Sequence, residues 1–333
     1  MPLTRSPGCR TSCSRLAEPR RRASRTGARR RGLRRLVAIT AIGVGGLSLS
    51  ACTAEGSGDV VVGFYPLEYL AGSIAGDSQT VLNLAQPGAE PHDMELTAKQ
   101  IGAVGAASLV IYEKGLQPAL DDAVRNEHPA HVLDVSTVTP LEGGYEELGH
   151  GDAESHEGHD HEQETLDPHI WLDPKRMLAL AAAVKDHLVQ IDEAGASTYE
   201  QNLAALQTKL ENLDADFTAG LANCERTAIV TTHNAFGYLA KAYGLQQVGI
   251  AGLTEEEPSP QKLDEVQQFV QANGVTTIFY EQAVSDKYAK TVAAETGAKT
   301  AVLNTLEVRP PSGDYLSAME QNLQALRQAL GCS

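Results

Sequence analysis

The chain has 333 residues, of which 42% are hydrophobic, enough to bury one large or two medium cores. Its formal net charge of −16 repels nucleic acid and anionic lipid and attracts cations, so nucleic-acid binding is set aside. The charge is unevenly spread, because residues 1–35 hold twelve arginines and a single acid, Glu18.

An apolar run, LVAITAIGVGGLSLSA, follows at residues 36–51 and ends at Cys52. It falls short of the roughly 20 residues that a spanning helix needs. A basic stretch, a short apolar stretch and small residues before a cut site describe an export signal over 1–51. Its last four residues, Leu49-Ser50-Ala51-Cys52, resemble the lipobox of bacterial lipoproteins. That resemblance implies cleavage before Cys52 and a lipid on its thiol; a cysteine merely buried after an apolar segment is the alternative. Losing 1–51 takes the net charge to −27 and removes Cys9 and Cys13. Cys224 and Cys332 then remain as an even pair in an exported protein, which predicts a disulfide in the C-terminal half, against two free thiols.

Residues 52–58 read as a short flexible tether. Beyond it, DVVVGF (59–64), QTVLNL (79–84), SLVIYE (108–113) and HVLDV (131–135) predict strands, with helices near 66–75, 97–107 and 115–126. A long helical region follows from Pro174 to Leu221, with Leu203, Leu206, Leu210 and Leu213 at helical spacing and Gly195 dividing it. The rhythm then returns: TAIVTTH (227–233), QQVGIAG (246–252), TTIFYE (276–281) and KTAVLN (299–304) predict strands. Helices fit near 235–244, 260–273, 286–297 and 313–330. Alternation of strand and helix predicts an α/β protein of two lobes, each a parallel sheet flanked by helices, joined by a long helix. The expected boundaries are 59–195 for the N-terminal lobe, 196–221 for the linking helix and 222–333 for the C-terminal lobe.

One segment breaks the rhythm. From Glu142 to Glu164 there are nine acids and four histidines, with no Lys or Arg. Such a composition cannot bury enough apolar surface to order itself, so it predicts a disordered His-rich acidic loop over 142–164. Its histidines, His150, His156, His159 and His161, are either a solvated polar tract or a set of weak metal-capture groups.

In open parallel sheets ligands bind beyond the carboxyl ends of the strands. Three histidines stand there: His92 after QTVLNL, His169 in DPHIWLDP, and His233 in TTHNAFGYLA. Three imidazoles can supply most of a tetrahedral zinc shell. Each of the three taken alone could equally be a hydrogen-bonded structural histidine. His128, His131 and His187 lie outside these strand-end motifs and read as structural.

PGAEPHDMEL, DPHIWLDP, THNAFGYLAKAYGL and EEEPSPQKL occur in an order and spacing similar to the zinc- and manganese-type solute-binding lipoproteins of ATP-driven importers, the cluster A-I group. The resemblance covers residues 59–330. It implies a metal site in the cleft between two α/β lobes, hand-over of the metal to a membrane permease driven by an ATPase, and no catalysis. It implies His92, His169 and His233 as ligands, and a histidine at 233 favours zinc over manganese. For the fourth position the order is water or Glu281, as a ligand or a support to one, then Glu307, Glu90 and Asn304. Asp167 is open between a turn and a partner for His169, and Asp173 reads as a helix cap.

The reading is therefore an extracytoplasmic, high-affinity zinc-binding protein, expected as a monomer, held by the lipid at Cys52 to the outer face of a bacterial membrane and carrying Zn(II) as its transported ligand. A manganese or iron importer component is one alternative. A zinc hydrolase with three histidine ligands is another, although the chain has neither an H-E-x-x-H nor a G-x-S-x-G motif.

Overall fold

Short runs of Val, Ile and Leu set the strands, and in this computed structural model they form two separate four-stranded sheets. The residues described are 59–86, 88, 90–143, 166–253, 257–281 and 285–333. The segment 1–51, Cys52 and the rest of the tether, and the loop histidines His150, His156, His159 and His161 lie outside them.

The first half runs β1 (Val60–Val62), α1 (Tyr65–Ala75), β2 (Val81–Asn83), α2 (Ala98–Ala106), β3 (Leu109–Tyr112), α3 (Pro118–Glu127) and β4 (Val132–Asp134). After β5 (Glu142–Gly143) and β6 (Leu166–Asp167) come two long helices, α4 (Pro174–Ile191) and α5 (Ala196–Leu221). The second half runs β7 (Ala228–Thr231), α6 (Gly237–Ala242), β8 (Gln246–Gly249), α7 (Pro260–Ala272), β9 (Thr277–Tyr280), α8 (Lys287–Thr296), β10 (Lys299–Val302) and α9 (Tyr315–Leu330). The sheet orders are β2-β1-β3-β4 and β10-β9-β7-β8, with neighbours parallel throughout. Counted from its own first strand, the second order is the first one again.

Parallel sheets are buried on both faces, and the strand residues divide accordingly. Val60, Val62, Leu109 and Ile111 face the main core, while Val61, Val110 and Tyr112 face a smaller cluster with Val104 and Leu120. In the second sheet Ile229 and Phe279 join the main core, while Val230 and Ile278 face outward to Val266 and Val292. The main core therefore runs through both halves.

Helix α5 is what makes it continuous. Leu203, Leu206, Leu210, Leu213, Phe217 and Leu221 recur at three- and four-residue steps along it and are buried. It packs on α1 and α4 of the first half and on α9 of the second. Immediately past it, Cys224 is disulfide-bonded to Cys332, beyond the end of α9. The Arg226 N–H donates to the Leu330 carbonyl beside that bridge. All described residues belong to one compact unit, Thr53–Ser333.

The acidic stretch has an ordered root. Glu142 and Gly143, read from the sequence as loop, pair antiparallel with Asp167 and Leu166. Two residues carry too little pattern to be seen as a strand; side chains hold them instead. Arg176 Nη2 donates to Glu142 Oε1 at 2.6 Å, Lys241 pairs with the same carboxylate, and the Glu142 N–H donates to Tyr238 Oη at 2.8 Å.

Candidate metal centre

Each functional side chain is delivered by a strand end or by the turn after one. His92 sits in the Pro91–Met94 turn beyond β2, closed by the Met94 N–H on the Pro91 carbonyl. His233 follows β7, where the Thr232 N–H donates to the Phe279 carbonyl and the His233 carbonyl accepts from Thr231 Oγ1 and Gln247 Nε2. Glu307 follows β10, and Leu306 just before it is in the left-handed region with φ 61°.

His169 is the most firmly held. Asp167 Oδ1 accepts from the His169 backbone N–H at 2.9 Å and lies 2.7 Å from His169 Nδ1. Both side chains are fully buried. A carboxylate on Nδ1 fixes the proton there and turns Nε2 toward the cleft as a lone-pair donor. Asp173, four residues on, accepts from the Lys175 N–H and caps α4, as read from the sequence.

His92, His169, His233 and Glu307 converge, each offering one ligand atom, with all four atoms within 4.8 Å of one another. The ring centroids lie 5.5 Å apart for His92 and His169, 5.9 Å for His92 and His233, and 4.8 Å for His169 and His233. Glu307 Oε1 is 3.2 Å from His169 Nε2 and 3.8 Å from His92 Nε2. Nε2 of His92 and of His169, with both Glu307 oxygens, are buried and make no well-directed hydrogen bond. Close approach without hydrogen-bond direction is what results when lone pairs aim at a common point rather than at each other. A tetrahedral zinc shell with donors at about 2.0–2.2 Å spaces them roughly 3.4 Å apart. The set therefore needs only a modest contraction, and its chemistry of three imidazoles and one carboxylate suits zinc.

The electrostatics agree with the geometry. Burial raises the Glu307 carboxyl, but contacts with His169, His92 and Glu90 outweigh it and hold it well below the usual range. Burial pushes the His169 imidazolium down, but Asp167 and Glu307 more than reverse this, so its pKa is raised above 6.5. The Glu113 carboxyl, at the end of β3, is pushed well up by burial and then by Asp167 and Asp134.

The other candidates fall around the cluster. Glu281 lies beside it, with Oε1 3.4 Å from His233 Nδ1, and accepts from Thr305 Oγ1 at 2.9 Å. It stands to His233 much as Asp167 stands to His169. Glu90 Oε1 is 4.0 Å from His92 Nε2. Asn304 turns its Oδ1 to the Leu306 N–H at 2.7 Å instead of toward the histidines. The cluster includes none of His128, His131 and His187. A cavity of about 250 Å³ adjoins it, lined in part by Glu90, Glu281, Glu307 and Arg309.

Sequence reasoning missed several supports. Trp171 stacks edge-on against Phe64 and donates its indole N–H to the Thr305 carbonyl at 2.7 Å, bridging the two halves. Tyr238 Oη donates to the Asp167 carbonyl at 2.7 Å. The signal for Asp167 was present in the Asp-Pro-His spacing, which lets a carboxylate fold back on the N–H two residues later. Tyr238 and Trp171 left no such local trace.

A family model described as "ZnuA: Zinc-uptake complex component A periplasmic" matches residues 60–329. The chain belongs to the ZnuA family. It is 36% identical over 296 residues to the "Zinc-binding lipoprotein AdcA" of Streptococcus pneumoniae (strain ATCC BAA-255 / R6), covering 85% of this chain. The chain spans 58% of the length of that relative. It is 34% identical over 302 residues to the "High-affinity zinc uptake system protein ZnuA" of Bacillus subtilis (strain 168), covering 86% of this chain and 92% of that one. Among solved structures, Zn(II)-bound AdcA from Streptococcus pneumoniae is similar with a TM-score of 0.68 at 32% identity, over 81% of this chain and 57% of that one. The fold is thus a ZnuA-like α/β arrangement of two parallel sheets and a long helix.

Proposed function

We propose that this chain captures Zn(II) outside the cytoplasm and delivers it to an ATP-driven importer, docking on the permease that its ATPase powers. The observation that carries the reading is the convergence of His92, His169, His233 and Glu307 at strand ends from both halves. In this reading those four are the zinc ligands, with Asp167 and Glu281 as the carboxylates that orient His169 and His233. The cluster sits between lobes 59–195 and 222–333, with 196–221 as the linking helix, and the cavity beside Glu90 and Glu307 is the metal's way in. The zinc named for the AdcA and ZnuA relatives supports the choice of metal.

Export and anchoring belong to the same proposal. Residues 1–51 are a signal removed on export, and Cys52 carries the lipid that holds the protein to the outer face of the membrane. The likeness to a relative named as a lipoprotein supports this. Metabolic labelling with a radioactive fatty acid tests it: label lost in Cys52→Ser supports the anchor, and label retained refutes it.

We read the protein as a carrier without catalysis. A catalytic zinc keeps one position open for water, whereas Glu307 is available here to close the fourth. Manganese favours more oxygen ligands than three imidazoles leave room for. Calorimetry on metal-stripped protein decides the main claim. One zinc site tighter than about 1 µM, weakened in His92→Ala, His169→Ala and His233→Ala, is expected. Absence of such a site would overturn the proposal.

A further inference from the structure

We propose that Asn322, on α9 and outside the metal cluster, is a positioning residue for the Glu307 carboxylate, acting through the turn that carries it. The inference rests on Glu307 being a zinc ligand, as proposed above.

The turn begins at Asn304, two residues past β10. Its N–H donates to Asn322 Oδ1 at 2.8 Å, and its carbonyl accepts from Asn322 Nδ2 at 2.7 Å. One buried side-chain amide thus satisfies both main-chain groups of Asn304, as a neighbouring strand would. Asn304 Oδ1 then accepts from the Leu306 N–H at 2.7 Å. Between them the Thr305 carbonyl accepts from Trp171 Nε1. Asn322 is 2% exposed and Leu306 fully buried.

These bonds hold Leu306 at φ 61°. The left-handed region is costly for a leucine and persists only where the surroundings over-determine it. A glycine would take that conformation without strain. The leucine therefore trades backbone comfort for a buried side chain that pins the turn, and the residue it pins immediately precedes Glu307. With Leu306 in the right-handed or extended region, the chain would leave the turn in another direction and take the carboxylate out of the cluster. Asn322 anchors this chain of contacts by tying the turn to a long helix, one whose start is fixed by the Asp314–Ser317 capping box.

The test is a double-mutant cycle read by zinc affinity, using chelator competition, and by the visible absorption of the cobalt(II)-loaded protein. Asn322→Ala should raise the zinc Kd about ten- to a hundred-fold, the range for groups that orient metal ligands. Its cobalt spectrum should move toward that of Glu307→Gln. In a Glu307→Gln background, Asn322→Ala should change Kd by no more than about two-fold, because the carboxylate it positions is gone. Asn322→Asp keeps the acceptor for the Asn304 N–H and loses the donor to its carbonyl. It gives the same cycle with a smaller loss, and serves if the alanine variant does not fold. Equal losses in the two backgrounds, or an unchanged Kd in the wild-type background, overturn the inference and leave the ligand set standing. If Glu307→Gln itself binds zinc normally, the assignment of Glu307 fails, and the inference fails with it.

Discussion

Replacing Asp167 by Asn keeps the shape of the His169 support and removes its charge. Asp167 Oδ1 takes both the imidazole Nδ1 and the backbone N–H of His169, and an amide oxygen can accept in the same place. A hydrogen bond to an ionised partner contributes about 1.5–3 kcal/mol against about 1 kcal/mol for a neutral pair. The exchange thus removes roughly 0.5–2 kcal/mol of support, or about 2- to 30-fold in zinc affinity. Proton competition makes this loss depend on pH. Zinc takes neutral imidazole, so a proton on His169 Nε2 must leave when metal binds. In the metal-free protein Asp167 and Glu307 hold that proton to higher pH than an ordinary histidine. Asp167→Asn lowers the His169 pKa, so the variant competes with fewer protons in acid. The loss is expected to be larger at about pH 8 than at about pH 6, because the raised His169 pKa of the wild type costs it more proton competition in acid than the variant meets. Chelator-competition titrations at the two pH values measure it. A loss that is equal at both, or larger in acid, would show that Asp167 does not act through His169.

Replacing Cys224 and Cys332 by serine should cost about 2–5 kcal/mol in denaturant unfolding, since the bridge spans 108 residues of sequence, while leaving zinc affinity within a few-fold of wild type. A large fall in affinity would show that the bridge bears on the cleft. Glu142→Gln should cost about 0.2–1 kcal/mol at neutral pH. The Lys241 hydrogen bond, with Arg176, lowers the Glu142 carboxyl below 4.5, so this contribution is present above that value and fades as pH falls through the lowered one. Urea melts at pH 7 and pH 3 test the sign, and a cost that persists unchanged at pH 3 argues against the ion pair. Deleting residues 144–165 should leave one tight zinc equivalent and remove only weaker ones, counted by calorimetry. Loss of the tight equivalent would mean that the acidic stretch is part of the site.

The central strands were readable because they are runs such as VVV, LVIY or AIVT, which suit a sheet buried on both faces. The three histidines were readable because each comes after a predicted strand, His233 at once and His92 and His169 after a longer connection. The fourth donor was not. Glu281 and Glu307 both follow strands of the same sheet, and what separates them is the left-handed Leu306 and the Asn322 clasp, neither of which leaves a periodic trace. The β5–β6 root was hidden for a similar reason. Glu142 belongs by composition to the acidic tract, and only Arg176, Lys241 and Tyr238, distant in sequence, make a strand of it.

The repeated strand order has a consequence for the site itself. His169 follows β4, the fourth strand of its sheet, and Glu307 follows β10, the fourth of the other. The 3.2 Å approach of His169 Nε2 to Glu307 Oε1 therefore joins residues that come after corresponding strands of the two sheets. Between strand and donor the second half has only residues 303–306, whereas the first has 135–168, the acidic histidine tract included. One position carries an imidazole and an insertion, its counterpart a carboxylate and a tight turn. The asymmetry that suits the centre to a cation lies in those side chains and that insertion, laid over two halves of equal plan.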